Sequence, residues 1–541
     1  MEVMKAMGAV VTGTLDRRKS RRGMESEAYV VATTTEATRL WWLMRVPRVG
    51  GTRRLRRGDQ KTAEGNRGGG AFAMRISMRT RRIALRVWMG FDKSRSGYQM
   101  RTSREGRGRS GGPQLMGSQR TLGVDGISIC RVRLTARRVP LSRRASREGI
   151  KKKQVEYYGA FILREGRVRA VFLVTDVRWF YVSFEAVLIP MYLMIGVWGS
   201  RERKIRAGYR FFRYTMGGSV RMLIAVLYRS QHYGTTDMVL LKRRRDNGAT
   251  ALEPETGRRR WRAFFRALAV KVPMVPVHVW LPEAHVEAPT GGSVRLAGIR
   301  LKRGTYGMVR RLRGLLAEPS RYFTPLVYMR AVVGIIYPAR TARRQADRKR
   351  IVAYASVSHM NLTLVGRFSM TRQGLEGAIM QMVSHGRVAG GLFMGIGVRY
   401  DRYHTRRRMY RGGLAQVMPL YAVVMRLLTM ANIGLPGTSA FVGEWRIFVG
   451  IVQTNRLVRR GSRSGMVLGA AYSRWRLNRL RYGNRKTTYG AGHAPDRDRR
   501  ERRMRIPVCV GTVVFGINPN RVLDHVHVNS MERRRAMEQL K

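Results

Sequence analysis

Residues 271–310 read KVPMVPVHVWLPEAHVEAPTGGSVRLAGIRLKRGTYGMVR. Lys271 ends an apolar approach, Ala267 to Val270, and is followed by Pro273, Pro276 and Pro282. Each proline removes a backbone donor and its ring clashes with the preceding turn, so a helix crossing this region is interrupted. The result is a broken helix that carries a lysine. Inside a bilayer such a break is tolerated only where it packs in protein or lines a hydrated cavity, and an ionisable residue beside it marks an ion pathway. In water the same text is a proline-rich surface loop. What flanks it decides between the two.

On the N-terminal side, Trp179 to Trp198 reads WFYVSFEAVLIPMYLMIGVW, with one charge, Glu185, and a tryptophan at each end. About 20 residues at 1.5 Å rise cover the hydrocarbon core of a bilayer, and terminal tryptophans suit its two interfaces. A soluble core helix this long and this uniformly apolar is unusual, so the pattern predicts a transmembrane helix. Glu185 lies about a third of the way in, where desolvation disfavours a charged carboxylate unless it is paired; such a group suits proton uptake and release.

Further apolar blocks recur at Phe211–Tyr228, Phe323–Tyr337, Gly386–Tyr400 and Tyr421–Leu435, but arginines puncture them. Between Ser293 and Val309 stand Arg295, Arg300 and Arg303 besides Lys302. At about 100° per residue these arginines fall on different sides of a helix, so no rotation hides them all. Each midplane arginine costs about 2.5–3.5 kcal/mol on insertion scales. Either the blocks are not spans, or many of the arginines are not arginine.

Composition frames the same question. The 541 residues carry 106 Lys+Arg against 33 Asp+Glu, a net charge of +73. A balance of this kind reads first as a binder of nucleic acid or acidic lipid. Only 14 of the 106 basic residues are lysine, however, leaving 92 arginines, whereas a generic basic surface uses lysine freely. Two cysteines, Cys130 and Cys509, exclude a disulfide framework or a cysteine-rich zinc site. Residues 1–118 are rich in Arg and Gly without sustained periodicity, and read literally they are disordered or bind nucleic acid. The opening MEVMKAMGAVVTGTLDRRKS is a weak match to a transit peptide, with no clear apolar h-region.

The stretch VKVPMVPVHVWLPEAHVEAPTGGSV (270–294), followed by LAGI and LK, closely resembles the signature of the chain 4 family of NADH-ubiquinone oxidoreductase, the antiporter-like membrane subunits of respiratory complex I. Other blocks agree in order: LGVDGIS from Leu122, FEAVLIPMYLMIGVWGSRERKIRA from Phe184, YTMGGSV from Tyr214 and KRIVAYASVSHMN ending at Asn361. MVSHG from Met382, YDR from Tyr400, LPGTSAFVGEW from Leu435 and GAAYS from Gly469 complete the series. The likeness runs from about residue 120 to about 530. It implies an all-α polytopic membrane protein of about 14 transmembrane helices, two of them discontinuous, with inverted repeats. The implied division is an N-terminal region over 1–118 holding the first transmembrane helices, a proton-translocating domain over 119–530 and a polar tail over 531–541.

Departures from the family run in one direction. Arg213, Arg300, Arg399, Arg446, Arg474 and Arg476 stand where the family usually has leucine, and Arg459 and Arg463 where small residues such as alanine are common. A genetic code in which some arginine codons read as leucine or alanine, as in certain organellar genomes, explains this pattern. Gene decay would not spare every motif while adding one residue type. On this reading +73 is an artefact of translation.

The resemblance implies a proton path through Glu185, Lys271, Lys302 and Glu444: a carboxylate and lysine that interact, a central lysine and a terminal glutamate. The family places His359 and His385 in the same hydrophilic axis, and imidazole can relay protons near neutral pH. Pro436, Gly437 and Gly443 are expected to unwind a second helix beside Glu444. His278 and His285 are expected to be structural partners of the broken segment. The competing assignments are snorkelling or ion-paired lysines and satisfied core histidines. His525 and His527, in DHVH, are weak evidence for a metal site.

Electron transfer is implied to occur in other subunits, so this chain binds no cofactor itself; NAD, FMN, iron-sulfur clusters and ubiquinone belong to the assembled complex. Expected partners are the other membrane subunits of complex I and the lipid bilayer, with no nucleic acid, in the mitochondrial inner membrane. The alternatives are a cation/proton antiporter or membrane-bound hydrogenase subunit, which shares the lysines and glutamates, and, if the arginines are literal, a basic nucleic-acid-binding protein. No stacking motif, zinc signature or phosphate loop supports the last.

Overall fold

The computed structural model describes residues 58–95, 97–104, 120–150, 152–246, 253–403, 413–482 and 499–538. These residues are mostly helical; the exception to the all-α expectation is one antiparallel pair of short strands, Gln99–Arg104 and Arg120–Val124. Of the stretch 1–118, a long helix, Gly58–Met89, and the first strand are described, and residues 1–57 and 105–119 lie outside the described residues. The last helix, Asn520–Glu538, runs through residue 530 without interruption.

The chain is organised on the helix Arg372–Tyr403, which is buried continuously from Gly374 to Arg399. Helices Ser439–Val452, Arg348–Phe368 and Pro419–Ile433 pack around it. Small residues make that approach possible. A Cβ at Gly377 would lie 2.6 Å from the Ile447 amide nitrogen, and one at Gly443 would lie 2.8 Å from that of Gln381. These two glycines bring the helix of His385 and the helix of Glu444 into backbone contact.

The Trp179–Trp198 block forms two helical pieces, Val177–Glu185 and Leu188–Gly196, not one. The interruption follows from Pro190, which cannot donate to the carbonyl of Ala186 and whose ring crowds it. Glu185 therefore ends a helix instead of sitting inside one. Together the two pieces, Val177–Gly196, are long and apolar enough to cross a membrane. Among the described residues the only other segment to pass that test is the pair Arg500–Ile517 and Asn520–Met531, bent by 60°. The blocks Phe211–Tyr228 and Gly386–Tyr400 lie within helices Lys204–Tyr233 and Arg372–Tyr403, but their arginines lower the hydropathy below that of a span.

Where those arginines lie is unusual. Eight of the eleven largest fully buried side chains among the described residues are arginines, including Arg138, Arg164, Arg300 and Arg311. Arginine is almost never fully buried unless paired, and 33 acids cannot pair 106 bases. Meanwhile Ile189, Ile205, Ile224, Met329, Val423 and Val467 face outward, each at least 60 % exposed. An apolar outer surface around a core holding polar groups is the arrangement a bilayer selects.

Candidate functional site

Lys271 is the last residue of helix Pro254–Lys271, and the next helix, Trp280–Glu287, begins after eight intervening residues that are not α-helical. The break frees backbone carbonyls, and side chains take them up. Trp280 Nε1 donates to the Val270 carbonyl at 3.0 Å, and buried Asn361 donates from Nδ2 to the carbonyls of Pro273 at 3.3 Å and Val357 at 2.9 Å. The interrupted segment is thus satisfied inside the protein, as a bilayer requires. It is a packed element, not a surface loop.

Lys271 is 3 % exposed. Its Nζ lies 3.2 Å from both carboxylate oxygens of Glu185, so the two helix ends that the prolines create carry the two halves of one ion pair. The ammonium also lies 5.0 Å from the centre of the Phe184 ring. Arg303 shares that ring at 5.4 Å and donates to the Phe184 carbonyl at 3.2 Å.

One helix further on, Leu296–Arg300 is a π-helical turn between Thr290–Arg295 and Leu301–Gly307. Such wide turns loosen the backbone ladder and concentrate at functional sites. Lys302, 1 % exposed, folds back so that Nζ donates to the Ala297 carbonyl at 2.6 Å. The same Nζ lies 2.6 Å from Nδ1 of buried His385. With lysine protonated, Nδ1 accepts and the imidazole is neutral; with lysine neutral, the imidazole can donate instead. One proton can therefore sit on either member.

The ring centres of His385 and His359 are 5.7 Å apart. His359 Nδ1 is 3.2 Å from Oε1 of Glu444, which is 2 % exposed. Gln381 donates from Nε2 to Glu444 at 2.8 Å and lies 3.4 Å from the same histidine nitrogen. His359 Nδ1 can accept from Gln381 when neutral or donate to Glu444 when protonated, but not both at once. A cavity of about 20 Å³, enough for about one water, lies beside His359 and Glu444 and is also lined by Ser358, Asn432 and Tyr472.

Six residues singled out in the sequence thus fall into three pairs, Glu185–Lys271, Lys302–His385 and His359–Glu444, each with at least one fully buried member; Glu185 and His359 are half-buried. No direct hydrogen bond joins Lys271 to Lys302 among the described contacts. Sequence reasoning missed Gln381, although it stands four residues before His385 and hence on the same helix face. Gly443 does not unwind its helix: Ser439–Val452 is continuous through Glu444, and the turn before it is made at Gly434 and Gly437, with φ of 87° and 83°. His285 stacks on Phe393 at 4.5 Å and His278 meets Tyr337 edge-on at 5.6 Å.

His525 and His527 do not converge. Two residues apart on a helix they face opposite sides; His525 stacks on Trp88 at 4.0 Å while His527 faces Glu376 at 3.2 Å. Among the described residues no group of three or more His, Cys, Asp or Glu side chains is placed to hold a metal.

The suspect arginines divide by location. Arg300 and Arg399 are each 2 % exposed and Arg476 is 9 % exposed. Nε and Nη1 of Arg300 lack hydrogen-bond partners, and its guanidinium lies 3.8 Å over the Phe211 ring. Arg213, Arg463 and Arg474 point outward, and half-buried Arg446 reaches Glu376.

Residues 174–461 match the protein family described as NADH:quinone oxidoreductase/Mrp antiporter, TM. The chain is 46 % identical over 412 residues to NADH-ubiquinone oxidoreductase chain 4 of Marchantia polymorpha, covering 75 % of this chain and 81 % of that protein. It is 45 % identical over 471 residues to the chain 4 of Prototheca wickerhamii, covering 84 % and 88 %. Its fold is similar to a chain of respiratory complex I from Thermus thermophilus with bound NADH, with a TM-score of 0.79 and 25 % identity over 94 % of this chain and 99 % of that one. The chain therefore belongs to the NADH-ubiquinone oxidoreductase chain 4 family, the antiporter-like, proton-translocating membrane subunits of respiratory complex I.

Proposed function

We propose that protons cross this subunit along Glu185, Lys271, Lys302, His385, His359 and Glu444. The succession of three acid–base pairs, each with a fully buried member, carries the reading. Glu185 holds the Lys271 ammonium in place; when the carboxylate is neutralised or drawn away, the lysine loses its counter-charge in a dry environment and gives up its proton. Water carries the proton on to Lys302. There it is shared with His385, passes to His359 and reaches Glu444, with Gln381 holding the acceptor carboxylate in position.

The redox chemistry that drives the cycle belongs to other subunits of complex I, whose NAD, FMN, iron-sulfur clusters and ubiquinone this chain does not hold. The expected setting is the mitochondrial inner membrane, with about 14 transmembrane helices in inverted repeats over the whole chain, the first of them in 1–118 and the translocating unit at 119–530, and with the breaks before Trp280 and before Ser439 interrupting the two discontinuous helices. The reading also requires that many buried arginines are leucine or alanine in the protein as made. A guanidinium group buried without a counter-charge costs several kcal/mol, and a concentration of positive charge along the path repels a proton in transit.

Lys271→Ala tests the path. In sealed membrane vesicles it should lower proton pumping and quinone reduction together, because translocation and electron transfer are coupled. Normal pumping in that variant would remove Lys271 from the path.

A further inference from the structure

We infer that Glu376 and His527 form a proton-exchange site connecting the buried line of acid–base groups to the aqueous medium. The inference rests on the path proposed above and adds an end to it.

Glu376 is 1 % exposed and lies on the central helix Arg372–Tyr403, five residues before Gln381 and nine before His385. Five residues of helix rise about 7.5 Å, so Glu376 stands slightly more than one turn beyond the group that holds Glu444. The other helix agrees: Arg446, two residues after Glu444, bonds Glu376. Beside both lies a cavity of about 1040 Å³, lined by Thr371, Arg372, Gln373, Glu376, Trp445 and Arg446. It is far larger than the one-water space at Glu444.

His527, on the last helix, completes the site. Its Nδ1 is 3.2 Å from Glu376 Oε1, and its side chain is 43 % exposed while that of Glu376 is 1 % exposed. Ser530, from the same helix, donates to the same oxygen at 3.0 Å. The charged groups facing the pair are Arg372 and Arg446. Arg372 donates from Nε to Glu376 at 3.1 Å, and its Nη2 lies 2.8 Å from His527 Nδ1. A neutral His527 can accept from Arg372, and a protonated one can donate to Glu376, so the ring has a partner in either state. A carboxylate whose only task was to neutralise arginine needs no half-exposed histidine. Arg446 stands where the family usually has leucine, and with leucine there the partners of Glu376 are Arg372, His527 and Ser530.

The step balances as a proton transfer. The O–H bond of the Glu376 carboxylic acid breaks, the proton forms an N–H bond on neutral His527, and the imidazolium passes it to bulk water; uptake is the reverse.

The test uses intact complex I reconstituted in liposomes, with the pumping-generated membrane potential read by a voltage-sensitive dye per NADH oxidised. His527→Ala and His527→Gln should each lower the potential-generating rate about 10²-fold, since glutamine keeps hydrogen bonds but does not titrate. Added imidazole should restore His527→Ala, and should not restore Glu376→Gln. Wild-type pumping in His527→Gln, or a loss in His527→Ala that imidazole leaves unchanged, overturns the exchange site. Lys271→Ala, measured alongside, separates the two claims: if it is defective while the His527 and Glu376 variants pump normally, the path stands and this end of it falls.

Discussion

Lys302 Nζ lies 2.6 Å from His385 Nδ1 and 2.6 Å from the Ala297 carbonyl, so the central lysine is held by one titratable partner and one fixed dipole. The fixed dipole keeps the amine in place whichever member of the pair holds the proton. That arrangement makes His385 the acceptor in the middle of the path.

Replacing His385 by leucine should therefore strand the proton on Lys302 while leaving the helix intact. Pumping by reconstituted complex should fall about 10²-fold. A structural histidine predicts a different outcome: lost thermal stability with pumping per assembled complex unchanged. Measuring both on the same preparation distinguishes the two.

Asn361 donates to the Pro273 carbonyl, just past the helix end at Lys271, and to the Val357 carbonyl one turn back in its own helix. Asn361→Leu leaves the Pro273 carbonyl without that donor in a buried site, at a cost of about 1–3 kcal/mol. A lower unfolding temperature of the purified complex in detergent is the expected result. Pumping at saturating NADH should weaken with it, because the same donor fixes the segment that carries Lys271.

Arg300 and Arg476 are predicted to be leucine in native protein. Peptide mass spectrometry should find leucine masses and no tryptic cleavage at either position. Arginine masses there would return the charge of +73 to the protein and remove the recoding account.

How much of this was legible in the chain varies by residue. The break at Lys271 was readable because three prolines within twelve residues leave helix no continuous donor ladder. The turn after Glu185 has a comparable signal in Pro190, but it lies inside a twenty-residue apolar run with flanking tryptophans, which reads as a single span. Glu185 and Lys271 stand 86 positions apart, and their pairing came from family likeness, since spacing alone does not dictate a tertiary contact at that distance. Gly443 reads as a helix breaker in sequence, because a glycine that lets two helices touch looks there like one that unwinds a helix. Gln381 carried only a helical-face signal. Glu376 carried only the i,i+4 charge-pair signal with Arg372, because its other partners, Arg446, His527 and Ser530, lie on helices far along the chain.

The most direct measurement is the number of protons translocated per NADH oxidised by complex I carrying Lys302→Ala, in sealed vesicles. Lys302 lies between the Glu185–Lys271 pair and the His359–Glu444 pair, so a path through all three loses its only titratable amine there. A proton-to-electron ratio lowered from wild type, or loss of pumping and NADH oxidation together in a fully assembled complex, is the predicted result. An unchanged ratio at an unchanged rate of NADH oxidation would contradict it.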